Sequence, residues 1–216
     1  ALAAADYSGI FLTDREYSSQ VMFVTGHEAV GKEQSNIDFE MLAKFAGSIV
    51  FYMGVGGLGQ ISARLIENGK AAETPTAVIA NATLPTQRIV KAPLNRIAEE
   101  CVQQQVKAPA IIIIGQAAES DARFNWFMNQ PLFGQNIVVT RDARGNAVFA
   151  EKIVAHGGNP VQFDSIEIRN LTGNEKVQTV LQNLDSFDWV IFTSANGIRV
   201  TFEALDKMGK DVRSFA

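Results

Sequence analysis

Along the chain, short apolar runs alternate with segments whose apolar residues recur every three or four positions. That rhythm predicts α/β layering. Residues 1–7 read as a helix end closed by Ser8 and Gly9, and "VMFVTG" (21–26) reads as a strand. "NIDFEMLAKFAG" starts a helix near Asp38 and stops it at Gly47, and "SIVFYM" is the next strand. In "GLGQISARLIENGK", Leu58, Ile61, Leu65 and Ile66 share one helical face. "TAVIANA" and "RIVKAP" are extended, and "LNRIAEECVQQQV" is helical. The uninterrupted apolar run in "PAIIIIGQ" predicts a strand buried on both faces.

Residues 119–131, "ESDARFNWFMNQP", break this rhythm and read as a connector whose Trp126 and Phe127 dock on a neighbour, with a domain boundary near 130. A second α/β series follows. It comprises strand "NIVVTR", helix "AVFAEKIVAHGG", extended "PVQFDSIEI", helix "NEKVQTVLQNL", strand "DWVIFTS" and helix "GIRVTFEALDKMG". The two series share no residue-level repeat.

Composition narrows the function classes. With 216 residues, 47% of them hydrophobic, the chain can bury a substantial core in one or two domains. A net charge of -4 without Lys/Arg runs lacks the footprint of a nucleic-acid binder. Cys101 is the only cysteine, which excludes an intrachain disulfide and suits a reducing compartment. His27 and His156 stand alone, so no metal site is expected. The start has no basic region before its apolar residues, and no run approaches the roughly 20 residues of a membrane span. A cytoplasmic protein without nucleic-acid or membrane partners is expected. The missing initiator Met, and an end at "DVRSFA" where another strand is due, point to a fragment of something longer.

Three glycines, Gly54, Gly56 and Gly59, give the spacing G-x-G-x-x-G between a strand and a helix, which in a dinucleotide site admits pyrophosphate to the backbone. Such a site also needs a carboxylate at the end of the following strand, about 20 residues on. Glu73 precedes that strand, which ends in Ala80-Asn81-Ala82. A purely structural turn is therefore the better reading. A nucleotide-dependent oxidoreductase built on these glycines, and a noncatalytic two-domain binding protein, remain as alternatives.

The ordered segments "YSGI-LT-R" with "FVTGH" (7–27), "FYMGVG" (51–56), "TPTAVIANATLPTQR" (74–88), "PAIIIIG" (109–115) and "FNWF" (124–127) resemble the uroporphyrinogen-III C-methyltransferases. The resemblance covers residues 1–128 and matches the C-terminal half of such an enzyme. It implies an α/β fold, S-adenosylmethionine as cofactor, a homodimer through this half, and cofactor contacts from Met53 and Ala82. Soft, adaptable Met and small Ala suit those roles, although Met53 also reads as plain core. The chain departs from the family's G-I-P-L-T-H-R at Phe11 and Asp14, and has Ala82 where glycine is usual.

Residues 131–216 resemble a different family. "PLFGQNIVVTR" (131–141), "GGNPVQFDSIEI" (157–168) and "DWVIFTSANGI" (188–198) are similar to the opening of uroporphyrinogen-III synthase, with Asp164 in place of the usual proline. The fold implied is a C-terminal α/β methylase domain followed by a partial, doubly wound α/β synthase domain that uses no cofactor. Arg141, at a strand end, and the Ser194 and Asn196 turn are the candidate contacts to the carboxylates of a tetrapyrrole substrate. A solvated Arg and a helix N-cap are equally natural roles for these residues. No triad or carboxylate pair stands out, so the catalytic residues are unassigned.

Overall fold

The computed structural model describes residues 1–26, 36–211 and 213. The chain divides into two compact units, Ala1–Phe163 and Asp164–Ala216.

The first unit is built on a five-stranded mixed sheet of order β1-β2-β5-β3-β4. Its strands are β1 Val21–Thr25, β2 Ser48–Tyr52, β3 Pro75–Ala80, β4 Arg88–Pro93 and β5 Ala110–Ile114. Only β1 and β2 pair in parallel, whereas β2–β5, β5–β3 and β3–β4 are antiparallel. Successive side chains of a strand point to opposite faces. Accordingly Ile112 and Ile114 of β5 join one core with Ile49, Phe51 and Val78, while Ile111 and Ile113 join the other with Val50, Ala77 and Ile79. The expected two-sided burial of the isoleucine run is found.

Helices α2 Phe39–Lys44, α3 Leu58–Glu67 and α4 Ile97–Gln103 cover the first face, and α1 Leu2–Tyr7 covers the second. Helix α2 starts where Asp38 accepts a hydrogen bond from Met41 N–H (2.8 Å). Helix α3 buries Leu58, Ile61 and Leu65, the face its periodicity predicts.

Two buried hydroxyls fasten the segment after α1 to the sheet. Ser48 Oγ donates to Leu12 O (2.7 Å) and lies 2.8 Å from Ser18 Oγ. Gly9 has φ +68°, and a Cβ there would stand 2.3 Å from the backbone carbon of Phe124, so only glycine allows this approach. Residues 7–10 and 124–127 thus meet backbone to backbone. The connector docks as expected: Trp126 Nε1 donates to Asp6 O (3.2 Å), and the Tyr7 ring lies 4.8 and 4.9 Å from the rings of Trp126 and Phe127.

A second, two-stranded parallel sheet joins β6 Asn136–Val139 to β7 Asn159–Gln162 across helix α5 Ala143–Ala155. It shares no strand with the first sheet. It nevertheless belongs to the same compact unit, which runs to Phe163. The reason is visible in the packing. Phe127, held by Tyr7, also contacts Phe133 (5.4 Å), and a Cβ at Gly157 would lie 2.7 Å from Gln130 Cβ.

The second unit contains α6 Glu175–Gln182 and α7 Ala195–Lys207, whose Leu181, Ala204 and Leu205 form a small core with Leu184 of the short turn after α6. The expected strand "DWVIFTS" is not formed there, and the extended segment beginning at 159 ends with β7. A strand needs a neighbour to satisfy its backbone groups. Among the described residues neither stretch has a ladder partner in this unit, and Trp189 and Ile191 are 84% and 81% exposed.

Candidate functional site

In the first unit, the C-terminal ends of β2 and β3, the N-terminal end of β5 and helix α1 border a cleft of about 750 Å³. Met53 and Ala82 both line it, together with Tyr52, Asn81, Thr83 and Leu84. Among the described residues its lining carries no Asp, Glu, Lys, Arg or His side chain. Such a surface suits a largely apolar ligand positioned by a few polar groups.

The backbone here is unusual. Met53, Asn81 and Thr83 have φ of +52°, +49° and +70°. Left-handed conformations are uncommon outside glycine, and for a β-branched residue such as Thr83 they need support from the surroundings. That support is a hydrogen-bonded turn. Asn81 N–H donates to Pro109 O (3.0 Å), Leu84 N–H to Asn81 O (3.1 Å) and Gln87 N–H to Leu84 O (2.9 Å). The buried Gln87 side chain completes it: its Oε1 accepts from Thr83 N–H (2.9 Å) and its Nε2 donates to Tyr7 O (3.0 Å). Gln87 lies inside a motif that the sequence singles out, but nothing in the residue pattern marks it as buried. The Met53 side chain is 63% exposed. It is not core.

The geometry of the glycine turn argues against the dinucleotide alternative. A Rossmann site sits in a parallel sheet, whereas β2 has an antiparallel neighbour in β5. Gly54 is required for packing, since a Cβ there would lie 2.8 Å from Ile112 Cδ1. A Cβ at Gly56 would meet nothing within 4 Å, and one at Gly59 only Ala98 Cβ at 3.9 Å. Of these three glycines only Gly54 is sterically compelled. The oxidoreductase alternative therefore loses its geometric basis.

Arg141 follows β6. Both of its backbone polar groups are bound by Asn146, which is fully buried in the first turns of α5: Arg141 N–H donates to Asn146 Oδ1 (2.7 Å), and Asn146 Nδ2 donates to Arg141 O (3.1 Å). The Arg141 side chain is exposed and lies over Gly145. In the second unit, Ser194 is the N-cap of α7 and its Oγ accepts from Gly197 N–H (3.0 Å). Asn196, one residue into the helix, is half-buried. Arg141 and the 194–196 turn thus belong to different compact units, each described by itself.

His27 lies outside the described residues. No group of acidic, Cys or His side chains suited to a metal is found among the described residues, and no helix there is long and apolar enough to cross a membrane. Cys101 is buried in α4, and burial pushes its thiol up to about 11, which leaves it a packing residue rather than a nucleophile.

Comparison with known proteins assigns the two segments. The tetrapyrrole (corrin/porphyrin) methylase family matches residues 1–98, and uroporphyrinogen-III synthase HemD matches residues 147–216. Both domains are present in this chain. A porphyrin biosynthesis protein HemD of Ruminiclostridium josui is 35% identical over all 216 residues, which span 43% of that relative. A uroporphyrinogen-III C-methyltransferase of Bacillus subtilis is 32% identical over 98% of this chain and 43% of its own length. An S-adenosyl-L-methionine-dependent uroporphyrinogen III methyltransferase of Methanosarcina barkeri is 47% identical over 115 residues, 53% of this chain and 45% of its own. The chain thus spans less than half the length of these curated relatives. Met53 and Ala82 lie within the stretch that matches the methylase family, and the Ser194 turn lies within the stretch that matches the synthase.

Proposed function

We propose that the chain is part of a bifunctional tetrapyrrole-biosynthesis enzyme. Residues 1–128 contribute the C-terminal part of a uroporphyrinogen-III C-methyltransferase that makes precorrin-2. Residues 131–216 contribute the N-terminal part of a uroporphyrinogen-III synthase that cyclises hydroxymethylbilane. The observation that carries the methylase reading is the meeting of Met53 and Ala82 in one cleft bordered by left-handed backbone.

The residues present fit S-adenosylmethionine. Exposed Met53 offers a polarisable wall to an adenine or thioether, and the small side chain of Ala82 leaves the backbone of the 81–84 turn within reach of ligand polar groups. When bound, this cofactor supplies an electrophilic methyl carbon. The protein's task is then alignment and exclusion of water, which is consistent with the apolar and small side chains that the described residues bring to the lining. The enzyme works as a cytoplasmic homodimer joined through its methylase half, and the synthase half needs no cofactor. Arg141 of the first unit, and Ser194 and Asn196 of the second, are each contacts to substrate carboxylates on this reading.

Titration calorimetry of the full-length protein with S-adenosylhomocysteine tests the cofactor site. Met53→Ala and Ala82→Leu are each expected to weaken binding about tenfold, the Leu by filling the space beside the turn. Wild-type affinity in both variants, with NAD bound instead, would overturn the reading.

A further inference from the structure

We propose that Gln87 is a positioning residue of this cleft, tying its two walls together and thereby setting its affinity for cofactor. One wall is α1, which contributes Ala3 and Ala4, and the other is the 81–84 turn. The Gln87 side chain is 2% exposed, accepts from Thr83 N–H on the second wall and donates to Tyr7 O at the end of the first. The two partners of this one amide lie far apart in sequence and are joined through it.

The strain at Thr83 gives the contact its purpose. A β-branched residue at φ +70° drifts toward ordinary backbone unless its surroundings hold it. Thr83 N–H is directed at Gln87 Oε1 in the observed conformation, so the hydrogen bond favours that conformation over the relaxed ones. Relaxation at Thr83 would carry Ala82 and Leu84, both lining residues, away from their places. At the other end, the Gln87 amide meets the carbonyl of Tyr7, whose ring is already packed between Trp126 and Phe127. The turn is thus referenced to a fixed point. A cleft whose binding-competent form is only part-populated loses affinity in proportion to that population.

This proposal rests on the cofactor reading for its ligand, but not for its geometry, and two measurements on the full-length protein keep them apart. Gln87→Met keeps the volume and removes both hydrogen bonds. It is expected to weaken S-adenosylhomocysteine binding about tenfold in calorimetry, and to speed amide hydrogen exchange at Thr83 and Leu84 while Ile79 and Ile112 stay protected. Gln87→Glu keeps the acceptor for Thr83, but it can donate to Tyr7 O only when protonated. Its affinity should therefore approach wild type at acidic pH and fall as pH rises, a profile that a filler side chain would not produce. A wild-type protein that does not bind S-adenosylhomocysteine sinks the cofactor reading, and the exchange rates then decide the clamp. A folded Gln87→Met variant with unchanged Thr83 exchange, or with unchanged affinity, overturns it. Should Gln87→Met fail to fold, a pH-independent, wild-type affinity in Gln87→Glu does the same.

Discussion

At the scale of single residues, the protein uses buried amides to fix backbone that exposed side chains then exploit. Asn146 and Gln87 are two such amides: the buried Asn146 carboxamide binds both backbone polar groups of Arg141, and that of Gln87 joins Thr83 N–H to Tyr7 O. On the proposed reading, an acidic chain of net charge -4 would need such local donors to hold a carboxylate-rich tetrapyrrole, because like charges repel. A hydrogen bond to a charged group contributes roughly 1.5–3 kcal/mol. Arg141→Ala in the full-length enzyme is therefore expected to weaken substrate binding by about tenfold or more. Asn146→Ala should act on the same function indirectly, and it should also cost about 1–3 kcal/mol of stability by orphaning two backbone groups. The measurement is the ratio of uroporphyrinogen III to the spontaneously formed type I isomer at limiting substrate. A wild-type ratio in Arg141→Ala would remove Arg141 from the site.

Among elements, legibility depends on whether a segment finds its partners within its compact unit. The isoleucine run of β5 finds ladder partners in β2 and β3, and the 58, 61, 65 face of α3 packs in the core on that sheet, so pattern and structure agree there. "DWVIFTS" carries the same strand chemistry, but its fate rests on a ladder partner that residue types do not reveal. The proposed site residues divide in the same way. Resemblance points to Met53 and Ala82, whereas no residue pattern marks Gln87 or Asn146, whose contacts are with distant or backbone partners. The glycine turn gives a direct test of how far a motif can be trusted. Gly54→Ala presses a methyl on Ile112 and Ile61 in a filled core and should cost about 1–3 kcal/mol. Gly56→Ala enters open space and should change stability by no more than about 0.5 kcal/mol. Urea denaturation midpoints compare the two, and equal effects would contradict this packing.

For the whole molecule, the question is where one folded piece ends. Composition points to 119–131, a polar and aromatic stretch that resembles a linker. In the structure that stretch is held at several points. Phe127 is buried, Trp126 bonds to Asp6 O, and the backbone at 124–125 is pressed against Gly9. Residues 163–171 differ: they form no helix or strand, every one is exposed, and the division between compact units falls among them. A protease must draw an extended segment out of the fold, so cleavage follows the ease of local opening rather than polarity of sequence. Phe163 and Leu171 are 62% and 69% exposed and suit chymotrypsin. Brief digestion of this 216-residue chain should therefore cut first within 163–171 or after exposed Trp189, leaving a larger fragment that keeps both sheets. Mass spectrometry of the first products reads the answer. A first cut after Phe124, Trp126 or Phe127 would mean that the aromatic docking onto α1 opens more readily than the exposed segment, and would return the boundary to the connector.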